Sequence, residues 1–265
     1  MQRCLMIISI VGVLFCSARA HAGIVTTLSH HSSEASAIGA MNTWLSDKGG
    51  GYRILENFEN DSSNMPGDGG ISSFVSTGLA GSTFAPTAGA NPGSGAMSFN
   101  SSQPRIGVIE RGTVDGGPGN EYGRTENWAD TPSNFGDHYL DSGDVDSIKL
   151  NHNLKEFNSL FFFMFDVSDV NAELTINETG GGTELVRIGQ DELLDNGAIT
   201  FVGLHSDSGL ESITFNATST NDGYGFDMFG EPTSAVPLPS TLALLGAGIF
   251  GLLGFNRRSQ SRGKR

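Results

Sequence analysis

The sequence predicts a mainly β ectodomain, a sandwich or barrel with one N-terminal helix, followed by a single C-terminal transmembrane helix. Three observations carry this. Short runs of alternating or fully apolar residues recur along the body, separated by Gly-rich turns such as Asp195-Asn196-Gly197 and Asn221-Asp222-Gly223. One run, Asn158 to Phe165, is apolar on both faces and belongs at the centre of a sheet. The last 30 residues pair an uncharged apolar stretch with a cationic end, unlike anything before them.

Residues 1–22 have the form of a secretory signal, with Arg3, an apolar run from Leu5 to Phe15, and Ala18, Ala20 and Ala22 at Ala-x-Ala spacing. Leu14 and Phe15 before Cys16 do not suit a lipidation site. Both cysteines, Cys4 and Cys16, fall inside this segment, so the mature chain has no thiol and must rely on an apolar core. The segment 23–50 is read as N-terminal and helical. Its helix runs from about Ser33 to Lys48, with Ile38, Met41, Trp44 and Leu45 on one stripe and Gly49 as the stop. Trp44 is expected to pack, and His30 and His31 to lie in a solvated stretch rather than to hold a metal, since neighbours on a strand point apart and no third ligand is near in sequence.

The sandwich is placed at 51–231. Asn171 to Ile176 alternates strictly, putting Ala172, Leu174 and Ile176 on one face, and Ile148 with Leu150 and Ile213 with Phe215 follow the same period. Further strands are expected at Tyr52–Glu59, Ile71–Val75, Ala96–Asn100, Arg105–Glu110, Thr183–Ile188, Ile199–Leu204 and Tyr224–Gly230. A long loop follows Glu110 and carries Tyr122 and Trp128, whose rings suit stacking on sugar C–H faces; the alternative is that Trp128 tucks inward and pins the loop.

The chain has a formal net charge of −14, but the sign is divided along it. Of 15 Lys and Arg, two lie in 1–22 and five in the tail, which leaves eight cations against 29 acids in the body, a net of −21. Nucleic acid and anionic lipid are therefore poor partners for the body. The same acidity lowers the cost of recruiting a divalent cation.

Segment 232–265 contains Leu242 to Phe255, 14 uninterrupted apolar residues, followed by Arg257 and Arg258, which would hold the chain's end on the cytoplasmic side of the inner membrane. Val236, Pro237, Leu238, Pro239, Ser240 and Thr241, then the Gly-containing apolar run and Arg257-Arg258, resemble the PEP-CTERM sorting signal of Gram-negative bacteria, with Leu238 where that signature has Glu. The resemblance implies recognition by an exosortase-type membrane enzyme, a single-pass intermediate with its body outside, and a final place at the cell surface or beyond it, in the setting of exopolysaccharide and biofilm. A weaker resemblance of Leu55 to Glu59, Gly136 to Asp141, Phe163 to Val167 and Asn221 to Asp227 to the ectodomains of such proteins implies a jelly-roll-like β-sandwich akin to carbohydrate-binding modules. It also implies that first and last strands meet, with a structural Ca2+ near Glu59, Asp222 and Asp227; the alternative is that Glu59 and Asp227 are solvated strand-end residues.

Catalytic signatures are missing from the sequence: there is no His-Glu-x-x-His, no Gly-x-Ser-x-Gly and no phosphate loop. The expectation is an exported, non-enzymatic surface or matrix protein, associated with exopolysaccharide and able to bind carbohydrate. The alternatives are a secreted polysaccharide-acting hydrolase and a purely structural matrix protein.

Overall fold

The computed structural model describes residues 23–60, 71–90, 105–110, 120–121, 124–125, 135–142, 145–151, 157–167, 172–188, 197–217 and 224–233. Its first strand, β1 (Val25–His31), leads into the helix α1 (Glu34–Ser46), and β2 (Gly51–Glu56), β3 (Phe74–Ser76), β4 (Ser82–Ala90) and β5 (Gly107–Glu110) follow. A two-residue pair, β6 (Asn120–Glu121) and β7 (Arg124–Thr125), precedes β8 (His138–Asp141), β9 (Val145–Asn151) and β10 (Ser159–Phe165). The body closes with β11 (Ala172–Glu178), β12 (Thr183–Ile188), β13 (Ile199–His205), β14 (Leu210–Ala217) and β15 (Gly225–Thr233).

Two antiparallel sheets face each other. One runs β1-β13-β10-β15-β8-β5, with β2 also paired to β15; the other runs β12-β11-β14-β9-β4-β3. Successive strands from β8 to β11 alternate between the sheets. The expected mainly β sandwich with one short helix is therefore what forms. Strict alternation in β11 buries Ala172, Leu174 and Ile176 against the opposite sheet while Glu173 and Thr175 face outward.

The seven-stranded sheet is covered on its outside as well, and β10 shows why. Leu160, Phe162 and Met164 enter the space between the sheets, where Phe162 stacks on Phe229 at 4.9 Å. Phe161, Phe163 and Phe165 point the other way, into a second cluster with Ile199, Phe201 and Met228. α1 shields part of that layer with Ala37, Met41, Trp44 and Leu45, all buried. Trp44 meets Phe161 and Phe201 edge-on at 6.2 and 5.9 Å, so it packs as expected. Ser33 is the N-cap, its side chain accepting from the Ser36 N–H, and the helix stops where Gly49 and Gly50 take φ of 104° and 82°.

A bulge in β15 serves both layers. Between β10 and β15 the register passes from Phe163↔Asp227 to Phe161↔Gly230, so one extra residue sits in β15, and Met228 adopts φ 52°. The shift lets Phe226 and Phe229 both face the inter-sheet core while Met228 joins the outer layer.

Several boundaries differ from the sequence reading. Val25–His31 is a fully paired strand on β13, not a solvated stretch, so the 23–50 segment contributes a strand to the sandwich. β2 stops at Glu56, because Phe58 turns with φ 59° while Glu56 accepts from the backbone N–H groups of Asn57 and Phe58. β15 runs on to Thr233, held by pairing with β2. Ile71 makes an isolated bridge to Ile106, and the strand near it starts at Phe74. Ala96–Asn100 lies outside the described residues. Among the described residues no helix is long and apolar enough to cross a membrane; Leu242–Phe255 lies outside them.

Close approach of Trp44 to the sheet depends on Gly203, where a Cβ would stand 2.7 Å from the indole ring. Trp44 is boxed in by Phe161 and Phe201, so it cannot give way. Gly203→Ala is expected to cost about 1–3 kcal/mol in chemical denaturation of the full chain. Gly39→Ala, on the exposed side of α1 with nothing within 4 Å of the added carbon, should be neutral or stabilising by up to ~1 kcal/mol. Equal effects at the two positions would refute this account of the helix contact.

Candidate functional site

Between the sheets the apolar core leaves a cavity too small for a ligand. The central cavity is about 20 Å³ and is lined only by apolar side chains, among them Phe84, Leu174 and Phe226. The space that matters lies outside, where α1 ends before the sheet does. Beyond the layer formed by Phe161 and Gly203, the same face of β10 and β13 continues as Ser159 and His205, which are register partners. A polar cleft of about 580 Å³ opens there.

One wall of the cleft is the end of α1. The Leu45 carbonyl accepts from both the Lys48 and the Gly50 N–H at 2.9 Å, which fixes the turn that presents Asp47 and Lys48. Lys48 Nζ lies 4.9 Å from the centre of the Trp44 ring, a cation–π contact that positions its ammonium. The other wall is the end of β15, Glu231 and Pro232, beside its partners on β2. Glu231 is paired with Arg53 there. Tyr52, partner of Pro232, rests edge-on against Phe161 at 5.9 Å and keeps 45% of its surface exposed.

The floor carries a hydroxyl–imidazole–carboxylate chain: Ser159 Oγ to His205 Nδ1 at 2.7 Å, and His205 Nε2 to Asp207 at 3.4 Å. In a serine-hydrolase triad the buried carboxylate orients the imidazole and the opposite nitrogen serves the serine. Here the serine meets Nδ1, and the carboxylate is 65% exposed and beyond good hydrogen-bond range, so it does not fix the ring. The arrangement differs from a serine-hydrolase triad in both contacts and sets a hydroxyl, an imidazole and a carboxylate in a row at the cleft. His205 and Asp207 are two residues apart, but Ser159 is 46 residues from His205 and only the β10–β13 register brings it there.

The residues suggested for calcium are placed differently from one another. Glu59 Oε1 accepts from the N–H groups of Asp137 and His138 at 2.6 and 2.8 Å, and its other oxygen lies 3.5 Å from the His138 ring. Asp227 is fully buried in β15, one oxygen accepting from the Met228 N–H at the bulge. These contacts account for one oxygen of each carboxylate without a cation, and neither residue is a solvated strand end. The strand that opens the predicted 51–231 sandwich, β2, pairs with the last strand, β15, whereas the fold's first strand, β1, pairs with β13. Asp222, Tyr122 and Trp128 lie outside the described residues, as do Val236, Pro237, Leu238, Pro239, Ser240, Thr241, Arg257 and Arg258. Among the described residues no group of three or more His, Cys, Asp or Glu is arranged to hold a metal.

The sequence model for the PEP-CTERM protein-sorting motif matches residues 235–258. The chain carries a PEP-CTERM sorting motif. This motif is the C-terminal signal of exosortase substrates, and it implies an exported protein of the surface or extracellular space. The PEP-CTERM match begins two residues after β15 ends at Thr233. Comparison with curated proteins finds no match. Among solved structures, the CBM22-1 xylan-binding domain from Paenibacillus barcinonensis Xyn10C is similar at 16% identity, over 49% of this chain and 87% of that one, with a TM-score of 0.28. At that degree of superposition it bears on neither fold nor function.

His30 and His31 turn to opposite sides of β1, as alternation requires: His30 bonds Thr200 and His31 bonds Ser29, each at 2.8 Å. Burial, and then the neighbouring His30, hold the His31 imidazole below its ordinary value near 6.5. The folded state thus resists a proton that the unfolded chain accepts, so this contribution is present above about pH 6.5 and is lost as pH falls below it. Amide exchange in β1, corrected for its intrinsic pH dependence, should show weaker protection at pH 5 than at pH 7.5. His31→Gln should flatten the difference; an unchanged pH response in that variant would exclude His31 as the cause.

Proposed function

We propose that this protein is an exported, non-enzymatic component of the cell surface or extracellular matrix, processed at its PEP-CTERM tail by an exosortase-type enzyme, whose jelly-roll-like sandwich associates with exopolysaccharide. The observation that carries the reading is the sorting motif at 235–258, joined directly to the last strand of the fold. The strand alternation between sheets supports the jelly-roll wiring. In this reading Leu242 to Phe255 crosses the inner membrane transiently, and Arg257 and Arg258 keep the end cytoplasmic until the tail is processed. A net charge of −21 on the exported part argues against nucleic acid as a partner.

The tail reading is tested by fusing residues 237–265 to an exported reporter. The reporter should lose the tail only in cells that possess an exosortase; identical retention with and without the enzyme would leave a plain membrane anchor. The polysaccharide reading is tested by retention of the full chain on a carbohydrate array, with calcium and with chelator. A calcium site formed by Glu59, Asp222 and Asp227 would also raise the melting temperature at millimolar calcium, by an amount equivalent to about 2.7 kcal/mol at 100 times the dissociation constant. No shift would remove calcium from the proposal and leave the rest standing.

A further inference from the structure

The cleft beyond the end of α1 has a composition and a geometry that point to one class of ligand. Its floor, Ser159, His205 and Pro232, is the middle of a row of side chains that crosses the strands on the outer face of the seven-stranded sheet and runs beyond the cleft at both ends. Val25 is the register partner of His205, and His205 of Ser159. Pro232 lies two residues past Gly230 as Ser159 lies two before Phe161, which continues the row, and Pro232 is the partner of Tyr52. Five strands at a spacing of about 4.8 Å give the row a length of about 19 Å, more than one small metabolite needs and suited to several linked rings.

The two ends of the row are apolar and exposed, Tyr52 at 45% and Val25 at 58%, and its middle is polar. Tyr52 is braced from below by Phe161, so its exposed ring is a rigid platform. The cleft volume of about 580 Å³ falls within the roughly 300–1,000 Å³ of small-ligand sites. Charge narrows the ligand further. At the cleft Lys48 offsets Asp47 and Arg53 offsets Glu231, so the sign of the potential is set by Asp207 and by the acidic body around it. Uronic or sulfated sugars would be repelled there. Neutral sugar hydroxyls, by contrast, pair well with carboxylate, amide, hydroxyl and imidazole groups.

We infer that this cleft binds a segment of neutral polysaccharide laid across the strands, with Tyr52 stacking on a sugar ring and Asp47, Asn158, Glu231 and the Ser159–His205 pair taking its hydroxyls. The inference rests on the polysaccharide reading above and names a site for it. It places recognition beside the helix end, on residues other than Tyr122 and Trp128.

The test is retention of the full chain on immobilised neutral glucans, mannans and xylans and on uronic-acid polymers, with Tyr52→Ala, Asp47→Ala and Trp128→Ala compared and melting temperatures recorded. Tyr52→Ala should weaken retention on a neutral polymer about tenfold. Asp47→Ala, which leaves the aromatic layer intact, should weaken it several-fold, and Trp128→Ala should leave it unchanged. If Tyr52→Ala unfolds, the Asp47 variant decides. Retention of the parent chain with both cleft variants unaffected overturns the site and leaves the polysaccharide reading intact. Loss in Trp128→Ala alone does the same and moves recognition to the loop. Preference for uronic-acid polymers overturns the neutral assignment. No retention of the parent chain on any polymer overturns the polysaccharide reading and the site with it.

Discussion

β10 is buried on both faces, and most of the architecture follows from that. A strand in a sandwich ordinarily has one wet side, but Phe161, Phe163 and Phe165 give this one a second apolar face that must be covered. α1 and Phe135 supply the cover: Trp44 stands on Phe161 and Phe201, and Phe135 lies 4.6 Å from Phe163. Rings can lie this close to a sheet only where the sheet has no side chain. Gly203 admits Trp44, and at Gly230 a Cβ would come within 2.3 Å of Phe161. The bulge at Asp227 and Met228 completes the arrangement by resetting β15 between its two layers.

The cleft is a consequence of the same packing. The helix covers apolar sheet and stops at Ser46, while β10, β13, β15 and β2 extend past it with Ser159, His205, Glu231 and Tyr52. Where the face turns from aromatic to polar, burial no longer favours a cover, and the surface stays open. Backbone pairing of the underlying strands holds that surface in place.

β15 links this fold to export. It pairs with β10, β8 and β2, so the seven-stranded sheet is incomplete until it is in place. Thr233 and Pro237 are four residues apart, at most about 14 Å of extended chain. An enzyme working at the sorting motif therefore meets either a folded sandwich close against it or a body still lacking its central strand.

Elements with a clean period were legible in the sequence. β11 alternates, β10 is apolar throughout, and α1 has its stripe and its cap, because each reflects a burial pattern set by residues close in the chain. β1 and β4 were not, since Val25-Thr-Thr-Leu-Ser-His-His31 and Ser82-Thr-Phe-Ala-Pro-Thr-Ala-Gly-Ala90 carry little apolar alternation and are strands only through their partners, β13 for one and β9 for the other. The cleft was invisible for the same reason: Tyr52, Ser159, His205 and Glu231 are scattered over 180 positions and are neighbours only by strand register. The sequence by itself determined the β class, the helix, the division of charge and the sorting tail, because these depend on local pattern or on a linear signal read by another protein. Tertiary structure alone decided the bulge, the glycines under the aromatic layer and the cleft, because each depends on which distant strands lie side by side.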